Sequence, residues 1–254
     1  MNNLFSLQGR TALITGGSRG IGRMIAAGFL AQGARVYISA RKAAACDQTA
    51  AGLSELGHCV SLPADVSSVA GAKALAEAYS AHEPQLDILV NNAGAAWGAP
   101  FDDFPESGWD KVVDLNLKAP FFLTQALAGH LRLAGKQRVA KVINIASIDG
   151  LSVNPQETYS YAGSKAGLVH LTRRMALRLI QDNIAVTAIA PGAFASEMNR
   201  DARDRADEVS AHIPAGRIGT DEDMAGAAIY LASRAGDYVV GETLVVDGGV
   251  TLKR

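Results

Sequence analysis

Short stretches that are apolar nearly throughout, each followed by a turn and then a helical repeat, constrain this chain more than any other feature. Arg10–Thr15, Arg35–Ser39, Cys59–Leu62, Leu86–Val90, Lys141–Ala146, Ile184–Ala190 and Thr243–Val246 have this character. A strand that is apolar on both sides must have both faces covered, as parallel strands between two helical layers do. Between them the spacing of apolar residues predicts helices over Ile21–Ala31, Ala43–Leu56, Asp65 to about Ala81, Tyr159–Gln181 and Asp221–Ser233, with one long helix inside Phe104–Leu133. A serine of Asp65-Val-Ser-Ser68 is well placed to cap its helix. Strand-helix alternation of this kind demands right-handed crossovers. The expected fold is a single α/β domain over 1–254, a doubly wound parallel sheet of about seven strands with helices on both faces.

Composition agrees and removes several alternatives. A chain of 254 residues that is 48% hydrophobic and 19% charged suits one sizeable core. No tandem repeat, low-complexity tract or linker marks a second domain. A net charge of -1 gives no reason to expect a nucleic-acid or anionic-membrane partner. Met1–Leu7 lacks the basic start and apolar run of a signal peptide, and no stretch reaches the ~18 apolar residues of a membrane span. Cys46 and Cys59 form no Cys-x-x-Cys pair, so a reducing, cytoplasmic setting is expected. The five histidines show no metal-ligand spacing, and no metal is expected.

The turn between the first strand and helix, Thr15-Gly-Gly-Ser-Arg-Gly-Ile-Gly22, places Gly16, Gly20 and Gly22 where a sharp bend and close backbone approach are needed. The exposed amides and positive end of the following helix suit a pyrophosphate, which makes Ser18, Arg19 and Ile21 contact candidates as well. No Gly-Lys-Ser/Thr follows, which excludes a Walker A loop. At the end of the second strand an acid would hold the ribose hydroxyls of NAD, about 20 residues beyond the glycines. Here Ser39-Ala-Arg-Lys42 stands instead, and no acid appears before Asp47. Arg41, with Arg19 opposite, can pair with a 2′-phosphate, so NADP(H) is the expected cofactor.

Tyr161 and Lys165 lie four residues apart, on one face of the predicted helix. A phenol titrates near ~10, and a neighbouring ammonium lowers that value toward the neutral range, where it can serve as acid or base. In isolation such a pair reads first as an aromatic core residue followed by a surface lysine. Tyr159 has Gly163 at the corresponding spacing, so it lacks a lysine and reads as packing or substrate wall.

Together with Asn91-Asn-Ala-Gly94, Asn116 in Asp-Leu-Asn-Leu, Ser147 after the fifth strand, Pro191-Gly192 and Asp247-Gly-Gly249, these motifs resemble the short-chain dehydrogenase/reductase family over nearly the whole chain. Within it the chain is most similar to the NADPH-dependent 3-oxoacyl-[acyl-carrier-protein] reductase branch, the enzymes associated with rhamnolipid and polyhydroxyalkanoate metabolism included. Gly16–Met24, Leu86–Gly94 with Trp97-Gly98, and Ala188–Gly192 carry the closer likeness. The resemblance implies a Rossmann-like fold and a homotetramer in which the helices of 104–133 and 159–181 pair across subunits. It implies that Tyr161 is the general acid, that Lys165 lowers its pKa and holds the nicotinamide ribose, and that Ser147 bonds the carbonyl oxygen. Asn116 would interrupt the long helix and hold a water leading to Lys165. Asp65 and Val66 would flank adenine, Asn91, Ala93 and Gly94 line the cleft, and Pro191, Gly192 and Ser196 contact the nicotinamide end. Serine at 196 departs from the commoner threonine.

A ketone or acyl-thioester substrate is implied, with acyl carrier protein as a candidate partner. An alcohol, polyol or cyclic-ketone dehydrogenase of the same family is the second reading, and a non-catalytic dinucleotide sensor a remote one. Trp97, Leu151–Val153, Gln156, Phe194 and Met198 are candidate pocket residues. The irregular stretch 194–220, with the charge-dense Arg200–Glu208, reads either as a solvated helix face or as a substrate lid. Asp247 is expected to fix a turn.

Overall fold

The seven apolar stretches meet in one sheet, all parallel, in the order β3-β2-β1-β4-β5-β6-β7. This is a computed structural model that describes residues 3–253; residues 1, 2 and 254, at the ends of the expected domain, lie outside the described residues. The strands are β1 (Thr11–Thr15), β2 (Arg35–Ser39), β3 (Cys59–Ser61), β4 (Ile88–Asn91), β5 (Ala140–Ile145), β6 (Ile184–Pro191) and β7 (Thr243–Val246). Because β1 pairs with both β2 and β4, the winding direction reverses between β1 and β4. Their carboxyl ends therefore diverge into a crevice, the place where such sheets bind ligands.

Side chains alternate between two helical layers, as the strand period requires. Ala12, Ile14, Val36, Ile38, Ile88, Val90 and Ile143 meet α1 (Gly20–Ala31), α2 (Ala43–Leu53) and α10 (Asp221–Ala232). Leu13, Tyr37, Leu89 and Val142 meet α3 (Val69–Ser80), α5 (Ala119–Ala126), α6 (Ala128–Gly135) and α7 (Tyr159–Leu179) on the other face. Ser68 caps α3, accepting from the Gly71 amide at 3.1 Å.

Two expectations are corrected. The fourth strand begins at Ile88 rather than Leu86, because Asp87 enters the sheet with its side chain: its Oδ2 takes the Thr11 amide at 2.9 Å in place of a ladder bond. The long helix within Phe104–Leu133 is three helices, α4 (Glu106–Val113), α5 and α6, with a π-turn over Asp114–Lys118 between the first two. Pro120 has no N–H to give the Asn116 carbonyl four residues back, so a regular α-helix cannot continue there. On the helices expected to pair across subunits, Leu123, Leu168 and Met175 are buried in the chain's own core. Trp109, Phe121, Leu133, Tyr159 and Leu177 are large apolar residues that these helices expose.

The stretch 194–220 holds two five-residue helices, α8 (Arg200–Asp204) and α9 (Ala206–Ser210). Its two ends are pinned together by a bridge between Phe194 and Gly219, with the Gly219 amide on the Ala193 carbonyl at 2.9 Å. The Phe194 ring lies so close that a Cβ on Gly219 would stand 2.3 Å from it. Phe194 is thus buried at the loop base, whereas Met198 is exposed.

Candidate active site

The glycine turn at the end of β1 is built for close approach. Gly16 and Gly20 have φ of 66° and 51°, left-handed values that disfavour any side chain. A Cβ on Gly22 would meet the Gly16 carbonyl oxygen at 2.3 Å. Arg19 precedes α1 in an extended conformation with no side-chain cap, and the first turn of α1 has no acid. The first amides of α1 are left for an external anion.

Three residues that sequence reasoning did not single out hold this turn. Asn92 Nδ2 donates to the Thr15 and Gly16 carbonyls at 2.8 and 3.2 Å. Thr15 Oγ1 accepts the amides of Asn92 and Ala93, each at 3.0 Å. Thr49 Oγ1, from α2, donates to the Ser18 carbonyl at 2.9 Å. Asn92 was inside a recognised motif; Thr49 had no local signal, since only the packing of α2 brings it there.

At the outer end of the crevice Arg41 is exposed just beyond β2. Asp65 is exposed as well, and its carboxyl is held below the usual range by bonds from Ser67, with the nearby charge of Arg41 adding to the effect. Val66 is buried beside it. Asn91 is placed differently from expectation. Its side chain donates to Asn144 Oδ1 at 2.8 Å and Thr124 Oγ1 at 3.2 Å, inside the core, so it presents only backbone to the cleft. Ala93 and Gly94 follow at the cleft wall. A Cβ on Gly94 would stand 3.3 Å from Asn116 Oδ1 and 3.8 Å from Lys165 Nζ, so glycine keeps this wall open beside both.

On the opposite side, Gly192 fits against Asp247, where a Cβ would come within 2.7 Å of its Cα. Asp247 fixes the turn by accepting from Gly249 and Thr251. Pro191 ends β6, and Ser196 lies across from the glycine turn, its Cβ 3.2 Å from where a Cβ on Gly20 would sit. The candidate nicotinamide-end residues therefore close over the crevice that the glycine turn opens.

The reactive groups come from β5 and α7. Lys165 is buried and donates from Nζ to the Ile145 carbonyl at 2.6 Å. Its ammonium lies 5.7 Å from the centre of the Tyr161 ring, and burial lowers its pKa to about 8. The Tyr161 phenol is raised, not lowered as expected. Burial is the largest cause; a hydrogen bond with Ser147 pulls the other way, and the Asp149 charge adds to the rise. Ser147 Oγ accepts the Asp149 amide at 3.1 Å, which fixes the oxygen and leaves its proton to donate.

Asn116 is buried in the π-turn. Its Oδ1 accepts the Ala95 amide at 2.8 Å, while Nδ2 donates to the Ala95 carbonyl at 2.9 Å and Ser164 Oγ at 3.1 Å. These bonds lock the side chain, and Pro120 deprives the Asn116 backbone carbonyl of the usual helical donor. Tyr159, the other tyrosine, is exposed and bonds Glu157 Oε1 at 3.2 Å, away from any lysine partnership. Its ring packs edge-on against Phe101 and Phe104 at 5.6 and 5.7 Å between centres. Trp97 packs on Gly108 and lies under Lys111, 5.1 Å from its ring centre. Leu151 and Val153 are exposed.

The open glycine turn, uncapped helix and glycine wall fit a dinucleotide along the crevice, and a serine, tyrosine and lysine meet at its inner end. Fold and site thus define the class of dinucleotide-dependent oxidoreductases built on a doubly wound sheet.

Comparison with known proteins narrows the class. A family model described as enoyl-(acyl carrier protein) reductase matches residues 16–251. The rhamnolipids biosynthesis 3-oxoacyl-[acyl-carrier-protein] reductase of Pseudomonas aeruginosa is 48% identical, covering 99% of this chain and 100% of that protein. A 2-dehydro-3-deoxy-D-gluconate 5-dehydrogenase of Dickeya dadantii is 40% identical over 97% of each. Among solved structures, the Pseudomonas aeruginosa RhlG/NADP active-site complex superposes with a TM-score of 0.95 at 48% identity, covering 99% of this chain and 100% of that one. A gluconate 5-dehydrogenase from Burkholderia cenocepacia in complex with NADP and tartrate gives 0.90 at 36% identity, over 98% of each. The chain belongs to the short-chain dehydrogenase/reductase family and is an oxidoreductase that interconverts CH–OH and C=O groups.

Proposed function

We propose that the protein reduces a ketone to a secondary alcohol with NADPH, and that its substrate is a 3-oxoacyl thioester carried on acyl carrier protein or coenzyme A. The observation that carries this reading is the convergence of Ser147, Tyr161 and Lys165 at the inner end of a crevice whose outer end bears Arg41 where an acid would select NAD. The likeness to the Pseudomonas aeruginosa 3-oxoacyl reductase supports the substrate class.

NADP(H) is held along Gly16, Ser18, Arg19, Gly20, Ile21 and Gly22, with Arg41 and Arg19 on the 2′-phosphate and Asp65 and Val66 beside adenine. When bound, it supplies the hydride. Ser147 donates its hydrogen to the carbonyl oxygen and stabilises charge developing there. The raised phenol of Tyr161 keeps its proton through the neutral range, so it is poised as the acid that protonates this oxygen. The resulting phenolate is stabilised by the Ser147 hydroxyl and the Lys165 ammonium. A water on the Asn116 carbonyl returns the proton by way of Lys165. The stretch 194–220 serves as the substrate lid. A homotetramer and a cytoplasmic setting belong to the same reading; no helix among the described residues is long and apolar enough to cross a membrane.

The gluconate-type dehydrogenases among the relatives favour a second reading, oxidation of a polyol or sugar acid. Initial rates with NADPH and 3-oxoacyl thioesters of increasing length, set against gluconates and neutral polyols with NADP+, separate the two. Turnover of thioesters is expected; turnover confined to gluconates or polyols would select the second.

A further inference from the structure

Thr49 uses its hydroxyl differently from the hydroxyls of neighbouring helices. Thr124, Thr172 and Ser80 donate to carbonyls of their own helix four residues back, the ordinary bond of a helical hydroxyl. Thr49 donates instead to the Ser18 carbonyl, 31 residues away in the chain, at 2.9 Å. The peptide it reaches is the one that leads into Arg19. No peptide bond among the described residues is cis, so the Ser18 carbonyl and the Arg19 N–H point opposite ways across one planar unit. With the carbonyl turned to α2, the Arg19 N–H is turned away from it. Arg19 leaves this peptide in an extended conformation, with φ of -166°, and is exposed.

The same helix stands behind Arg41. It begins at Ala43, two residues after that arginine, and buries only Cys46, Ala50 and Leu53. Cys46, one turn before Thr49, donates from Sγ to the Ile38 carbonyl of β2 at 3.4 Å. The glycine turn also meets β2 directly. The Gly17 amide donates to the Ser39 carbonyl at 3.1 Å, and a Cβ on Gly17 would stand 2.7 Å from the Ile38 side chain. Those contacts seat the start of the turn on β2. The Thr49 bond adds the next residue, Ser18, and ties it to the helix that Arg41 leads into. Arg19 and Arg41 are therefore spaced through α2 as well as through the sheet.

We propose that Thr49 is a positioning residue for cofactor selection: its hydroxyl holds Arg19 and Arg41 at one spacing, so that both act on the 2′-phosphate that NADPH has and NADH lacks. This rests on the 2′-phosphate reading of the two arginines given above. Two cations already held in register gain more from one anionic group than two that must be ordered when it arrives.

Fluorescence titration of the cofactor-free protein with NADPH and with NADH tests this without any substrate. Thr49→Val keeps the branched shape and removes the donor. It is expected to raise the Kd for NADPH by about three- to tenfold, the scale of one hydrogen bond, and to leave that for NADH within about twofold. Thr49→Ser keeps the donor and the wild-type ratio of the two Kd values. In an Arg41→Ala background, Thr49→Val should no longer change that ratio, because the pair it spaces is gone; a purely structural threonine would cost the same in both backgrounds. An unchanged Kd for NADPH, an equal loss for both cofactors, failure of serine to keep the ratio, or an undiminished effect beside Arg41→Ala overturns the assignment to Thr49. An Arg41→Ala protein with the wild-type ratio overturns the 2′-phosphate reading itself, and is recognised before Thr49 is changed.

Discussion

Lys165 and Tyr161 are each buried at the expense of their charged forms, and the proposed reaction uses both displacements. With the phenol raised and the ammonium lowered to about 8, the pair near pH 7 is a neutral acid beside a largely charged base. Tyr161→Phe is expected to lower kcat by about a thousandfold or more, at the upper end of what one acid-base group contributes, with NADPH still bound by fluorescence titration. The buried lysine should also weaken the fold. Its folded pKa lies below its unfolded value of 10.5, so the unfolded chain binds more protons between about pH 8 and 10.5. The destabilisation is therefore fully present below pH 8 and fades as pH rises to 10.5. Lys165→Met should raise the stability of the cofactor-free chain at pH 7 by roughly 2–3 kcal/mol while abolishing turnover, a gap that closes at alkaline pH. Equal Tm values for the two proteins at pH 7 would argue against this. At the outer end, Arg41→Asp should raise the KM for NADPH by about tenfold to a hundredfold and barely affect NADH. Equal losses for the two cofactors would remove Arg41 from the 2′-phosphate.

Among the elements, the interrupted helix around Asn116 shows how a local backbone fault becomes a chemical group. Pro120 withholds a donor, the chain relaxes into a π-turn, and the buried Asn116 side chain locks onto the Ala95 backbone. Pro120→Ala supplies the missing N–H and should draw the Asn116 carbonyl back into the helix. A several-fold fall in kcat with unchanged NADPH affinity is the expected result. Periodicity alone read the segment as one long helix, and the interruption at Asn116, implied only by the family resemblance, is the π-turn. Helical periodicity survives a single π-turn, so the fault is nearly silent in the pattern.

For the molecule as a whole, the reversal of winding between β1 and β4 creates the crevice, and the free edge of β7 and the exposed Phe121, Leu133 and Leu177 are left at the surface. Light scattering after size exclusion is expected to give a tetramer; a monomer at micromolar concentration would remove assembly from the proposal. The parallel sheet, its helical layers and nearly all strand limits were legible because each strand must be apolar on both faces to survive between two layers. Leu123, Leu168 and Met175, on the helices expected to pair across subunits, lie in the core, and no pattern separates the two roles. Apolar residues on a helix look alike whether they face the core or a partner.

The sequence by itself determined the fold class, the dinucleotide crevice, and the identities of Ser147, Tyr161 and Lys165, because these depend on residue type, order and spacing. Tertiary structure alone decided how those groups behave. The phenol is raised because burial outweighs its hydrogen bond with Ser147; Asn91 turns its side chain into the core; the Lys165 ammonium is held on the Ile145 carbonyl. Charge and solvation depend on distances across elements far apart in the chain, and no local pattern contains them.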